Sequence, residues 1–168
     1  ILAIRNYLLQ CNRQGKFNDD GTEFTEFLNL TNTQGQSIQY KVDKAMSYMM
    51  NTLSGKTGIM TINDPAKDVT TSGMSSNYWD VHKTVGYMSA YENAYFYASL
   101  LAYADIYDFK ADNYAKNGQS AEAEKARDVA EEYRGYAAVT REKYNTLFWD
   151  EAKGRYIGGI NADGERLD

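Results

Sequence analysis

A chain of 168 residues is long enough for one domain with its own hydrophobic core. Its net charge of −5 argues against a nucleic-acid partner, which rewards clustered Lys and Arg, and no apolar run approaches the ~20 residues that cross a bilayer. Cys11 is the only cysteine, which excludes an intrachain disulfide and multi-cysteine zinc sites, and no cofactor is expected.

The chain opens on Ile1 and stops at Asp168 inside an apparently continuing pattern, so it is expected to be a segment of a larger protein, truncated at both ends. Ile1 to about Asn12 reads as the end of a helix, with Ile1, Ile4, Leu8 and Cys11 on one face. Gly15 to Gly21 is a loop, Glu23 to Leu30 a short helix, and Asn32 to Gly35 a turn. Ser37 to Leu53 is a helix: Ile38, Val42, Ala45, Met46, Met49 and Leu53 recur at helical steps, and Ser54-Gly55 reads as its glycine C-cap.

Residues 56–88 change character. Gly58 to Ile62 reads as a short strand-like piece, followed by Asn63-Asp64-Pro65, Thr70-Thr71-Ser72-Gly73 and Ser75-Ser76-Asn77. Long irregular connections are uncommon in compact domains and tend to carry function. This one also carries Trp79 and the lone histidine, His82.

Ser89 to about Lys110 is a second helix, apolar around most of its girth through Ala94, Tyr95, Ala98, Leu101, Ala102 and Ile106, as a central helix is. Lys116 to Gln119 is a turn. Ser120 is a plausible N-cap for a third helix reaching about Leu147, with Ala126, Ala130, Tyr133, Ala137, Thr140, Tyr144 and Leu147 as its inner stripe. Phe148-Trp149-Asp150 closes it, Gly154 to Ile160 reads as extended, and Asn161 to Gly164 as a turn. The fold class expected is therefore all-α, built from helical hairpins with one long decorated loop and minor extended pieces.

Three groups of residues could carry chemistry. Asp80 follows Tyr78 and Trp79, and a carboxyl beside large rings is partly desolvated, which keeps it protonated near neutrality as a general acid requires. The alternative is that Asp80 caps a following helical turn while Trp79 serves the core. Glu92 and Asn93 open the inner helix; they either face the loop that carries Asp80, or Glu92 is an acid favouring a helix N-terminus. His82 cannot build a multi-histidine metal site alone, and either hydrogen-bonds near Asp80 or is simply satisfied locally. Asn18-Asp19-Asp20-Gly21 fails as a calcium loop, because Lys16 and Phe27 would occupy ligand positions; Asp150 reads as structural. The 15 tyrosines combine an apolar face with a polar tip, which suits sugars as well as helix seams.

The run Ser76-Asn77-Tyr78-Trp79-Asp80, then Tyr91 to Ala98 with Leu101 to Asp105, then Leu147 to Asp150 with Gly154-Arg155-Tyr156, resembles the six-hairpin glycosidases, including rhamnosidase-like, trehalase-like and glucosidase-like enzymes. The resemblance covers roughly residues 38–168. It implies an (α/α)6 toroid whose inner helices surround a sugar-binding cavity. It also implies Asp80 as general acid, with Asn77, Tyr78, Trp79, His82, Glu92 and Asn93 shaping the site for a carbohydrate substrate. Members of this fold are mostly inverting, and inversion needs a second carboxylate roughly 6.5–9.5 Å from the acid to activate water. The resemblance places that base later than Asp168, and the remainder of the barrel becomes the chain's expected partner. A non-catalytic helical-repeat scaffold and a polysaccharide lyase on a similar toroid are the competing expectations. A bacterial periplasmic or secreted location leads over a cytoplasmic one.

Overall fold

The computed structural model describes residues 1–17, 21–61, 87–161 and 163–167. It is mostly helical, with five helices and a few short antiparallel strands. The helices are α1 (Leu2–Arg13), α2 (Thr22–Asn29), α3 (Ile38–Asn51), α4 (Ala90–Lys116) and α5 (Ser120–Phe148). The strands are β1 (Met88–Ser89), β2 (Trp149–Asp150), β3 (Arg155–Tyr156), β4 (Gly159–Ile160) and β5 (Arg166–Leu167). Two compact units share this chain: Ile1–Ser47 with Ala98–Gly135, and Tyr48–Tyr97 with Tyr136–Asp168.

In the first unit the apolar stripes fall where helical spacing puts them. Leu8 and Cys11 of α1, Phe24 and Leu28 of α2, and Val42 and Met46 of α3 are buried. So are Leu100, Ala102, Tyr103, Ala104 and Ile106 of α4, and the small residues Ala123, Ala126 and Ala130 of α5. A three-residue turn, Asn117 to Gln119, joins α4 to α5, with Gly118 at φ 71° and the Gln119 amide bonded to the Tyr114 carbonyl. Across these two helices Arg134 reaches both Asp105 (3.7 Å) and Asp108, while Arg5 of α1 donates to Asp105 at 2.7 Å. All of these side chains keep partial access to water, so the network fixes geometry more than it adds stability.

In the second unit Ile59, Ala90, Phe148, Ile157 and Ile160 form a core, with Met88, Tyr144 and Leu147 packed against it. The strand pieces contribute to it, Ile160 from β4 and Met88 from β1. β4 is the middle strand of a three-stranded antiparallel sheet, pairing Met88 with Ile160 and Ile160 with Arg166. β2 and β3 form a separate hairpin, Trp149 opposite Tyr156 and Asp150 opposite Arg155. Asn161 builds the β4–β5 turn: its side-chain oxygen accepts the Asp163 and Glu165 amides at 3.1 and 2.8 Å.

Several expectations are corrected. The glycine C-cap of α3 is not at Gly55; Ser54 takes the left-handed conformation, φ 64°, and a 3-10 turn Gly55–Thr57 follows. Gly55 is needed for another reason, since a Cβ there would lie 2.7 Å from both the Met49 carbonyl and the Phe96 ring. The strand-like piece starting at Gly58 does not form among its described residues, because both backbone groups of Met60 bond to a side chain, that of Asn93. The central helix runs on to Lys116, and Ala94 and Tyr95, expected in its apolar girth, are exposed near its start, where Asn93 and Phe96 are buried. The overall class is helical, as expected.

Candidate functional site

The start of α4 is where the sequence concentrates chemistry. Ser89 precedes the first helical residue, and its hydroxyl accepts the Glu92 amide at 3.4 Å, a long capping bond. Ser89 and Glu92 thus have the serine-to-glutamate spacing of a capping box. Glu92 is half-buried, with one carboxylate oxygen out of solvent. Of the two expectations for Glu92, the structure shows the acid in the first turn of a helix; the loop that carries Asp80 lies outside the described residues.

Asn93 is wholly buried, at 0% exposure. Its side-chain oxygen accepts the Met60 amide at 2.7 Å, and its nitrogen donates to the Met60 and Ser89 carbonyls, each at 2.9 Å. Both of its N–H donors are therefore committed to backbone. In this structure the buried amide holds backbone rather than facing solvent; the residue is a bolt. Its two backbone partners, Met60 and Ser89, lie on either side of residues 62–86 in sequence, so one side chain joins the described segments that flank them. On the re-entry side, the Ala90 amide also bonds the Gly158 carbonyl at 3.0 Å, and β1 is held by β4.

Asn77, Tyr78, Trp79, Asp80 and His82 lie outside the described residues. Of the seven site residues expected, Glu92 and Asn93 are those the structure places, side by side at the entry to α4.

Two tyrosines, of which Tyr95 was expected in the apolar girth of the helix, stand in the open here. Tyr91 is 68% exposed and Tyr95 52%, one helical turn apart, with ring centroids 4.9 Å from each other. The Tyr91 hydroxyl donates a hydrogen bond to Tyr95, which holds it above its ordinary pKa. At the other end of the unit's chain, Trp149 and Tyr156 are also partly exposed and meet edge to face at 5.1 Å. Asp150 serves its turn, accepting the Lys153 amide at 3.1 Å.

A second polar cluster, in the first unit, was missed by sequence reading. One oxygen of Asp43 accepts the Gln39 amide nitrogen at 2.7 Å and the Tyr103 and Tyr107 hydroxyls at 2.9 and 3.1 Å. The Lys110 ammonium sits 4.4 Å above the Tyr107 ring. Burial pushes Tyr103 far above its ordinary pKa and Tyr107 up to about 12, and it pulls Lys110 down. Two four-residue spacings, Gln39 to Asp43 and Tyr103 to Tyr107, were the available signal.

Among the described residues no group of three or more His, Cys, Asp or Glu could hold a metal ion, and no helix is long and apolar enough to cross a membrane. No family model, curated protein or solved structure matches the chain.

Proposed function

We propose that this chain is part of a glycoside hydrolase built on an (α/α)6 toroid, with Asp80 as its general acid. Asp80 gives its proton to the glycosidic oxygen as the bond to the anomeric carbon breaks. Water attacks that carbon from the opposite face, and a second carboxylate, supplied by another hairpin of the ring, takes the proton from the water. Tyr78 and Trp79 keep Asp80 partly dry and offer ring faces to the sugar, Asn77 and His82 hydrogen-bond its hydroxyls, and Glu92 stands at the root of the site loop. Asn93 is the positioning residue beneath them.

The observation that carries this reading is the bolt. A connection of this length, polar through most of its course and carrying Tyr78 and Trp79, is flanked by Met60 and Ser89, which are both fixed to one buried amide at the start of α4. Function in helical toroids is carried by loops at one end of the ring, and a loop that positions an acid needs rooted ends. The exposed Tyr91–Tyr95 pair at the same helical start adds aromatic surface of the kind that stacks on sugar.

The test is turnover of aryl glycosides and natural oligosaccharides by the longest protein that contains this chain, beside its Asp80→Asn variant. Expected is a drop in kcat of about 10²–10⁴-fold in a variant that melts as the parent does. An equally active variant removes Asp80 from the role.

A second reading, a non-catalytic helical-repeat scaffold, is favoured by one feature: the seam of buried small residues on α5, Ala123, Ala126, Ala130 and Ala137, which suits close helix stacking. Absence of turnover on every substrate of the panel moves it ahead.

A further inference from the structure

Asn117-Gly118 is the only Asn-Gly pair in the chain, and it sits in the turn that joins α4 to α5. Glycine leaves the backbone nitrogen after an asparagine unshielded, because no Cβ stands beside it. Both residues are exposed, and the space where a Gly118 side chain would stand holds no atom within 4 Å. Two bonds hold the pair in place. The Asn117 side-chain nitrogen donates to the Asn113 carbonyl at 2.9 Å, and the Gly118 amide donates to the Ala115 carbonyl at 3.1 Å. Both acceptors belong to the last turn of α4, and exposed bonds at a helix end open at low cost. Asn117 also shares an open groove with Glu26 of α2, so a negative charge gained there meets one already present.

We infer that Asn117 is a site of spontaneous deamidation, gated by the last turn of α4. Once that turn opens, hydroxide takes the Gly118 amide proton and the bared nitrogen attacks the Asn117 side-chain carbonyl carbon. The new C–N bond closes a cyclic imide, the bond to Nδ2 breaks, and Nδ2 leaves as ammonia with a proton drawn from water. Water then opens the imide at one carbonyl or the other, giving aspartate or its isomer with the backbone routed through the side chain. One water is consumed, one ammonia is released, and nothing is oxidised or reduced. While the turn is closed the Gly118 proton is held in its bond to the Ala115 carbonyl, so the fold sets the rate. The product is one charge more negative than the chain's −5. Its carboxylate cannot donate to the Asn113 carbonyl, and an anion beside the last carbonyls of a helix is unfavourable. The conversion therefore loosens the turn that restrained it, and does so irreversibly.

Turnover plays no part in the test, so a failed hydrolysis assay leaves it standing. The full chain is held at mildly alkaline pH, folded in buffer and unfolded in urea, and digests of both samples are read by mass spectrometry. Expected is loss of the Asn117 amide in the folded chain, several-fold slower than in urea, with aspartate and isoaspartate both among the products. Ala115→Gly, at an exposed position of the gating turn, is expected to speed the folded reaction about fivefold and to leave the urea rate as it was. If that variant does not fold, urea below the unfolding transition opens the same turn in the parent. Asn117→Asp is expected to lower Tm by about 2–4 °C, the loss of one hydrogen bond in a chain of this size. Four results overturn the inference: Asn117 keeps its amide in the folded chain, folded and unfolded chains convert at one rate, loosening the turn leaves the folded rate unchanged, or Asn117→Asp melts as the parent does.

Discussion

At the scale of single residues the structure turns on positions where one atom more or less decides. Gly55 is such a position. The Met49 carbonyl and the Phe96 ring stand where its side chain would go, and neither is the loose end of a flexible chain. Gly55→Ala is expected to cost about 1–3 kcal/mol, read as a lowered denaturation midpoint with unchanged slope. The sequence marks Gly55 only as a glycine after a helix, and a glycine there is ordinarily a left-handed cap. The close approach that fixes it involves Phe96, which is distant in sequence, so no local pattern could have revealed it. Asn93 is a similar case. Its place beside Glu92 at a helix start is legible, but its burial and its grip on Met60 depend on chain segments that meet only after folding.

Elements were far more legible than residues. α1, α2, α3 and α5 lie close to where apolar spacing puts them, because amphipathic periodicity is imposed locally on each helix. The start of α4 was read less well: Ala94 and Tyr95 were counted in an apolar girth covering most of the helix, whereas both are exposed, as is Tyr91. Two predictions belong at this scale. Asn93→Ala strips the Met60 amide and carbonyl of their partner, and a cost of about 3 kcal/mol follows, a fall in Tm of about 6–12 °C. If Tm stays put, the bolt is replaced by other bonds and the rooted-loop argument fails with it. Arg166 closes the other long helix: its guanidinium donates to the Leu147 and Trp149 carbonyls, each at 2.7 Å, at the α5 C-terminus, where a cation is favoured. Arg166→Ala is expected to speed amide hydrogen exchange several-fold in β4–β5 and the last turn of α5, while the first turn of α5 exchanges as before. Uniform change along α5 argues against a local cap.

For the molecule as a whole, the tyrosines set a limit on the alkaline side. Tyr107, with its pKa near 12 in the fold, holds its proton more tightly than the unfolded chain does at about 10. Tyr103 is shifted in the same direction by burial. A group whose folded pKa is raised contributes its full share below the unfolded value and loses it as pH climbs toward the folded one. Lys110 works the other way, its burial penalty easing as it discharges below its ordinary range. Stability is therefore expected to fall steeply between about pH 10 and 12, with tyrosinate absorbance rising together with unfolding, and Tyr107→Phe should flatten that slope. A slope indifferent to Tyr107→Phe would place the titration elsewhere. The helical class was legible from composition and period; the pairing of Asp43 with two tyrosines of α4 was not, because it joins distant parts of the chain. The bolt at Asn93 also bears on descent. Met60 and Ser89 are held by one amide, and the entropy of closing the chain between two such fixed points rises by only about 0.6 kcal/mol for each doubling of its length. Insertions and deletions within residues 62–86 therefore leave the helical body its own frame. A lineage can therefore change the length and composition of that stretch while inheriting the same fastening at Asn93.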